Sequence, residues 1–394
     1  MNQEKAVYLN LLKCFVWDSV PERFPDDLDW KALLSLSSIH SDTGILGYMF
    51  MKHPTLAPQA LPFMRKQCLQ TIGLSARRAE RMNELIEQLN AAGIDHLLLK
   101  GFVIRDIYCV PELRTFGDVD FLIRLEDRAR CDDLMISSGF KRGTDWEPVF
   151  SYEKGIEYYE IHTDIMEVDV SDQADYKGYF KTIWEHTCLR DGHTWLPEKE
   201  FHLLYLLAHI AKHINGSGAG MRMYLDIALY IKEYRSEIDW KHFRGELEVL
   251  KFEKFVNTVF TAVERWFGVE SPIPLSPVNE EVMADFLDFT LDGGIFGFVG
   301  LDPGVNDLKK ESRGGQDANK RKTLLNRIFP PAAKIESRYT YLQGRHWLLP
   351  VAWVDRFIRT RAAWGQHMAE AKSIMTADEE KVLKLKRIHE DIGL

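Results

Sequence analysis

At 394 residues, with 45% hydrophobic and 28% charged side chains, the chain has the composition of an ordinary soluble globular protein large enough for two or three packed units, which excludes disordered, fibrous and membrane-embedded classes. A net charge of -9 repels polyanions, so there is no strong case for DNA or RNA as a partner, and a small molecule, peptide or glycan is expected instead. The five cysteines are scattered and include no C-x-x-C pair, which argues against a disulfide framework and a zinc knuckle.

The opening segment MNQEKAVYLNLLKCFVWDSVPERF lacks the basic, apolar and small-residue order of a signal peptide, so a cytoplasmic location is expected. Helical patterning runs from Met1 to about Asn90. Its clearest stretch is SARRAERMNELIEQLNAAGI, where Met82, Leu85, Leu89 and Ile94 approximate one apolar stripe and Gly93 ends the helix. DHLLLKG then reads as a strand buried on both faces and FVIRDIY as a short helix. Lys100-Gly101 closes that strand. Glycine lets the backbone approach a ligand, the lysine supplies a point charge suited to a triphosphate, and Arg114 offers a fork for the same group.

DVDFLIRL reads as the second strand. Side chains two apart share a strand face, so Asp118 and Asp120 converge and repel unless a cation lies between them. Mg²⁺ (or Mn²⁺) takes one or two carboxylates together with substrate phosphates, and a two-metal site needs at least one more. LEDRARCDDLMISSGF predicts a helix closed by Gly139. GIEYYEIHTDIMEVDV predicts one or two further strands, in which Glu160 is the third carboxylate with His162 and Asp164 on its face and Asp169 in reserve. The competing reading is an exposed edge strand whose acids merely face water.

LLLKG, then Y-x-x-P-E-L-R-x-x-G-D-V-D-F-L-I, then S-G-F and YEIHTDI resemble the uncharacterised nucleotidyltransferase family within the DNA polymerase beta-like superfamily, over roughly Ser75 to Ile231. The resemblance implies that Gly101 leads a turn holding nucleotide phosphates, that Asp118 and Asp120 hold two divalent cations, and that Glu160 completes the site. It departs from the superfamily in having Lys-Gly where Gly-Ser is usual and a longer spacer containing Arg114.

Helical patterning resumes from Glu198 to Trp266. FHLLYLLAHIAKHI brings His202, His209 and His213 near one face, but Ile210 stands where a zinc protease needs the glutamate of H-E-x-x-H. Arg222 and Asp226, four apart, predict a structural ion pair. The resembled family has a similar histidine helix and Arg-x-x-x-Asp turn, which implies that His162, His209, His213, Arg222 and Asp226 line a base or acceptor pocket. SPIPLSPVNEE breaks the helices with three prolines, and residues 302–322, nearly devoid of apolar side chains, predict a mobile loop. From Lys320 to Arg361 ten Lys or Arg face only Glu336 and Asp355. The tryptophans and aliphatics of 345–364 suit a core-packing helix in the first place and a membrane surface in the second. No segment approaches the ~20 apolar residues of a transmembrane helix.

The expected fold is α+β: a small mixed β-sheet nucleotidyltransferase core at 91–190 between a helical region at 1–90, a helical domain at 191–290 and a C-terminal region at 291–394. The expected activity is Mg²⁺-dependent or Mn²⁺-dependent transfer of a nucleoside monophosphate from an NTP to an acceptor. The alternatives are a nucleotide-sensing or partner-binding protein of weak activity and a kinase acting on the γ phosphate.

Overall fold

Helices α1 (Gln3–Trp17), α2 (Trp30–Ile39), α3 (Thr43–Lys52) and α4 (Leu61–Ala91) precede the first strand in the computed structural model, which describes residues 2–146, 148–166, 170–171, 173–216, 218–294, 303–311, 319–336, 339–359, 361 and 364–394. Side-chain caps start two of them, Asn2 accepting from the Lys5 amide and Asp29 from those of Lys31 and Ala32. Met82, Leu85, Ile86 and Leu89 are the buried face of α4, and Gly93, at φ +64°, supplies the left-handed residue that ends it.

The strands form one seven-stranded mixed sheet in the order β3-β4-β5-β2-β1-β7-β6. They are β1 (His96–Leu98), β2 (Val119–Ile123), β3 (Lys141–Trp146), β4 (Val149–Lys154), β5 (Glu157–His162), β6 (Thr187–Asp191) and β7 (Thr194–Pro197). A short helix α5 (Lys100–Ile104) follows β1, α6 (Arg128–Ser137) follows β2, and α7 (Tyr176–Phe180) precedes β6. β2 is antiparallel to β1 and parallel to β5. Alternation along β2 and β5 sends Val119, Phe121, Tyr159 and Ile161 into a core shared with α4 and α6, so the intervening residues face the other way.

Helices α8 (Lys199–Gly216) and α9 (Met221–Tyr234) contribute residues to the cleft on that other face, and α10 (Trp240–Leu250), α11 (Glu253–Phe267) and, after the proline segment, α12 (Glu280–Gly293) follow. Apart from the last two residues of α8, these elements belong to one compact unit, Met1–Ile214 with Gly218–Val299 and Gly393–Leu394; Asn215–Ser217 with Gly300–Ile392 form a second. The fold is therefore α+β.

The second unit contains α13 (Pro303–Glu311), α14 (Lys320–Ile328), α15 (Ala332–Ile335), α16 (Leu349–Arg359), α17 (Trp364–Thr376) and α18 (Glu379–Ile392). The loop expected at 302–322 is thus corrected at both ends. Val305 and Leu308, three apart, bury one face of α13, and Asn319 caps α14, while 312–318 lie outside the described residues. On α16, Ala352 joins a small core with Ile335, Tyr339 and Leu342, whereas Val351, Val354 and Ile358 are exposed. Among the described residues no helix is long and apolar enough to cross a membrane.

Candidate active site

The parallel register of β2 and β5 sets Asp120 directly opposite Glu160 on the face turned from the core. Asp118 stands one residue before β2, so the convergence expected from strand alternation is made by the bend leading into the strand. His162 lies two residues beyond Glu160 on the same face. Its Nε2 donates to Asp120 Oδ1 at 2.9 Å, and its buried Nδ1 has no partner. Oxygen and nitrogen atoms of Asp120, Glu160 and His162 lie within 4.8 Å of one another. Asp169, held in reserve by the sequence reading, lies outside the described residues.

Lys100 opens α5 with φ +50°, a left-handed conformation uncommon for a side chain of its size, and its Nζ sits 3.0 Å from Asp120 Oδ1. The consequences for the three acids differ. Burial works against the Asp120 charge, but Lys100 and then His162 override it and hold this carboxyl well below the usual range. Burial and the Asp120 charge push Asp118 up, and burial with both aspartates does the same to Glu160. Among the described residues neither Asp118 nor Glu160 has a Lys or Arg within salt-bridge distance. Among the described residues Lys100 is the only Lys or Arg in salt-bridge contact with these three carboxylates, and Asp118, Asp120 and Glu160 are the residues that could hold a hard divalent cation.

Lys100 holds a positive charge 3.0 Å from Asp120 Oδ1, where it would compete with a bound cation. Replacing it by Met is expected to tighten Mn²⁺ binding several-fold in the absence of nucleotide, because the competing ammonium is gone. Titration by isothermal calorimetry checks this; unchanged or weaker binding would contradict the competition.

Arg114 is expected from the sequence to grip a nucleotide phosphate, and its fork is instead closed on Asp226. Nε lies 3.0 Å from Oδ1 and Nη2 2.7 Å from Oδ2, both side chains being buried, and Tyr108 donates to the same carboxylate at 2.7 Å. The ion pair expected between Arg222 and Asp226 is therefore not formed; proximity in sequence lost to the bidentate geometry that Arg114 achieves across the fold. Gly101 lies against the same guanidinium, where a Cβ would come within 2.7 Å of Arg114 Nη1.

His209 and His213 face each other across one turn of α8, Nε2 to Nε2 at 3.1 Å. Burial, and then the Lys100 charge, drives His209 well below the ordinary histidine range and His213 down to about 4, so both rings are neutral at pH 7. His202, two turns earlier, lines a different cleft.

One cleft of ≈ 580 Å³ gathers every residue singled out as catalytic, nucleotide-binding or pocket-lining: Lys100, Gly101, Arg114, Asp118, Asp120, Glu160, His162, His209, His213, Arg222 and Asp226. That size is within the range of small-molecule sites. The cleft also contains Arg78, Thr115, Tyr158 and Lys212, which the sequence does not single out. Arg78 sits in the charge-rich run SARRAER, indistinguishable there from a solvated helix face, and only the fold reveals that α4 delivers it to the site.

The family model described as "Uncharacterised nucleotidyltransferase" matches residues 26–268, a span that contains the whole cleft. No match was found among curated proteins or among solved structures. With more than half of its length matched, and with the carboxylates, the lysine and the histidine helix gathered in one cleft inside that span, the chain belongs to the uncharacterised nucleotidyltransferase family.

Proposed function

We propose that the protein is a metal-dependent nucleotidyltransferase that moves a nucleoside monophosphate from an NTP to a hydroxyl or phosphate on a small-molecule, peptide or glycan acceptor. Family membership supports nucleotidyl transfer in general. The observation that carries the finer reading is the in-register Asp120 and Glu160 pair with Asp118 beside it, in one cleft.

Asp118, Asp120 and Glu160 would hold Mg²⁺ or Mn²⁺, which when bound neutralises charge on the transferring phosphoryl group and acidifies the acceptor oxygen. Lys100, displaced from Asp120, has its Nζ available for the triphosphate. Glu160, whose pKa is raised by burial and its acidic neighbours, suits the transient acceptance of the acceptor's proton on a carboxylate oxygen. Arg114 acts as a positioning residue: its Nη1 donates to the Thr115 carbonyl at 2.7 Å, fixing the loop that ends at Asp118. Leu206, Ile210 and Ile227 give the cleft apolar wall that limits water.

An NTP with Mn²⁺ is expected to raise the thermal midpoint by several degrees, more than either alone, because the ligand binds only the folded state. Differential scanning fluorimetry with each nucleotide checks this. No shift with any NTP and metal would remove the proposed site.

A further inference from the structure

Resting on the nucleotidyltransferase reading, we infer that Arg78 and Arg222 form the seat for the polyphosphate tail of the nucleotide. The two arginines come from opposite sides, α4 and α9, onto consecutive residues of the loop before β2. Arg222 Nη1 donates to Thr115 Oγ1 at 2.7 Å, and Arg78 Nη1 donates to the Phe116 carbonyl. Both line the cleft, and the Asp118 carboxyl that follows this loop feels the Arg222 charge.

What separates them from Lys100 and Arg114 is that neither stands in a direct ion pair, although Asp226 and Asp42 act on Arg222 from a distance. Lys100 is paired with Asp120 and Arg114 with Asp226. Among the described residues Arg78 and Arg222 have no carboxylate within salt-bridge distance, and each keeps a buried Nε with no hydrogen-bond partner. Burial and the nearby Arg114 charge push the Arg222 guanidinium down to about 10, the mark of a cation under-compensated by its surroundings. Both side chains are half-buried guanidiniums with a buried Nε left unpartnered, and an anion arriving at the two forks would supply the direct ion pair they lack. Planar guanidinium forks match phosphate oxygens in pairs, whereas a single acceptor carboxylate would use only one of them. At Gly117 a Cβ would meet nothing within 4 Å, so the loop leaves the space beside it open. Asp118 follows immediately. A triphosphate seated on the arginines therefore has its reacting end beside the carboxylates.

The test uses the full chain with EDTA present and inorganic tripolyphosphate as probe, inorganic phosphate serving as the comparison. Wild type is expected to bind tripolyphosphate at least tenfold more tightly than phosphate, and Arg78→Gln and Arg222→Gln each to lose tenfold or more, while Arg23→Gln, at an exposed surface position, binds as wild type. Equal binding of the two anions would assign the forks to a lone phosphate, such as one on an acceptor, and overturn the polyphosphate seat; so would unchanged tripolyphosphate affinity in both glutamine variants. If either variant fails to fold, phenylglyoxal modification of the wild type read by mass spectrometry decides. Tripolyphosphate should slow modification of Arg78 and Arg222 severalfold, and equal rates with and without it would refute the seat. The two readings fail separately. Loss of tripolyphosphate binding in the variants without any NTP-dependent transfer would leave the seat and remove the transferase, whereas transfer with an unchanged KM for NTP in both variants would do the reverse.

Discussion

Asp118→Asn is expected to lower metal-dependent turnover on the order of 10³-fold while leaving the metal-free protein at least as stable as wild type. Asp120→Asn should cost as much activity but, unlike its neighbour, also destabilise the metal-free fold by about 2–3 kcal/mol. The opposite signs follow from the partners. Asp118 has no cation within salt-bridge distance and is pushed toward its neutral form by burial and by Asp120, so an amide there removes repulsion. Asp120 neutralises Lys100 and accepts from His162, so its loss strands a largely buried ammonium. The pH dependence carries the same signs. The depressed Asp120 contributes stability present above the ordinary carboxylate range and lost as pH falls through its lower folded value. The raised Asp118 and Glu160 make the fold lose stability as pH rises from the ordinary carboxylate range through their folded values, and a bound cation should remove that loss. Urea denaturation of both variants with and without Mn²⁺ reads all of this. Metal binding that survives in both variants would contradict the assignment.

The second large effect concerns Arg114. Replacement by Met is expected to destabilise the fold by about 3–5 kcal/mol, because it leaves the Asp226 carboxylate buried without its counter-charge. Adding Asp226→Leu to that variant should recover much of the loss, giving a large coupling energy in the double-mutant cycle. A residue that merely gripped the nucleotide would raise KM and leave the denaturation midpoint where it was. Equal midpoints for wild type and Arg114→Met would return Arg114 to the phosphate.

Much of the site is legible in the sequence because strand geometry is simple. Period-two alternation marks Asp120 and Glu160 as lying off the core face, and both strands carry apolar residues between them. The direct apposition of those two acids, however, depends on β2 and β5 being parallel neighbours, which local pattern does not state. The partnership of Arg114 with Asp226 spans 112 positions, so no spacing argument reaches it, and the nearer Arg222 competes for the same acid in any local reading. β3 and β4 are hidden for another reason. β3 (KRGTDW) is an edge strand with charges along it, and in β4 (VFSYEK) the first four residues are all buried, so neither strand alternates. The helix α13 escaped because only Val305 and Leu308 mark its inner face in a polar segment.

Nucleotidyl transfer breaks the bond at the α phosphate and phosphoryl transfer at the γ phosphate, so the position of a radiolabel separates them. The protein is incubated with Mg²⁺ and each NTP, labelled at the α or the γ phosphate, with candidate acceptors or the chain itself as acceptor. The expected result is transfer of α label, none of γ label, and pyrophosphate as co-product, with α transfer and pyrophosphate release both falling on the order of 10³-fold in Asp118→Asn. Transfer of γ label with release of NDP would contradict it and make the protein a kinase on the same carboxylate cluster.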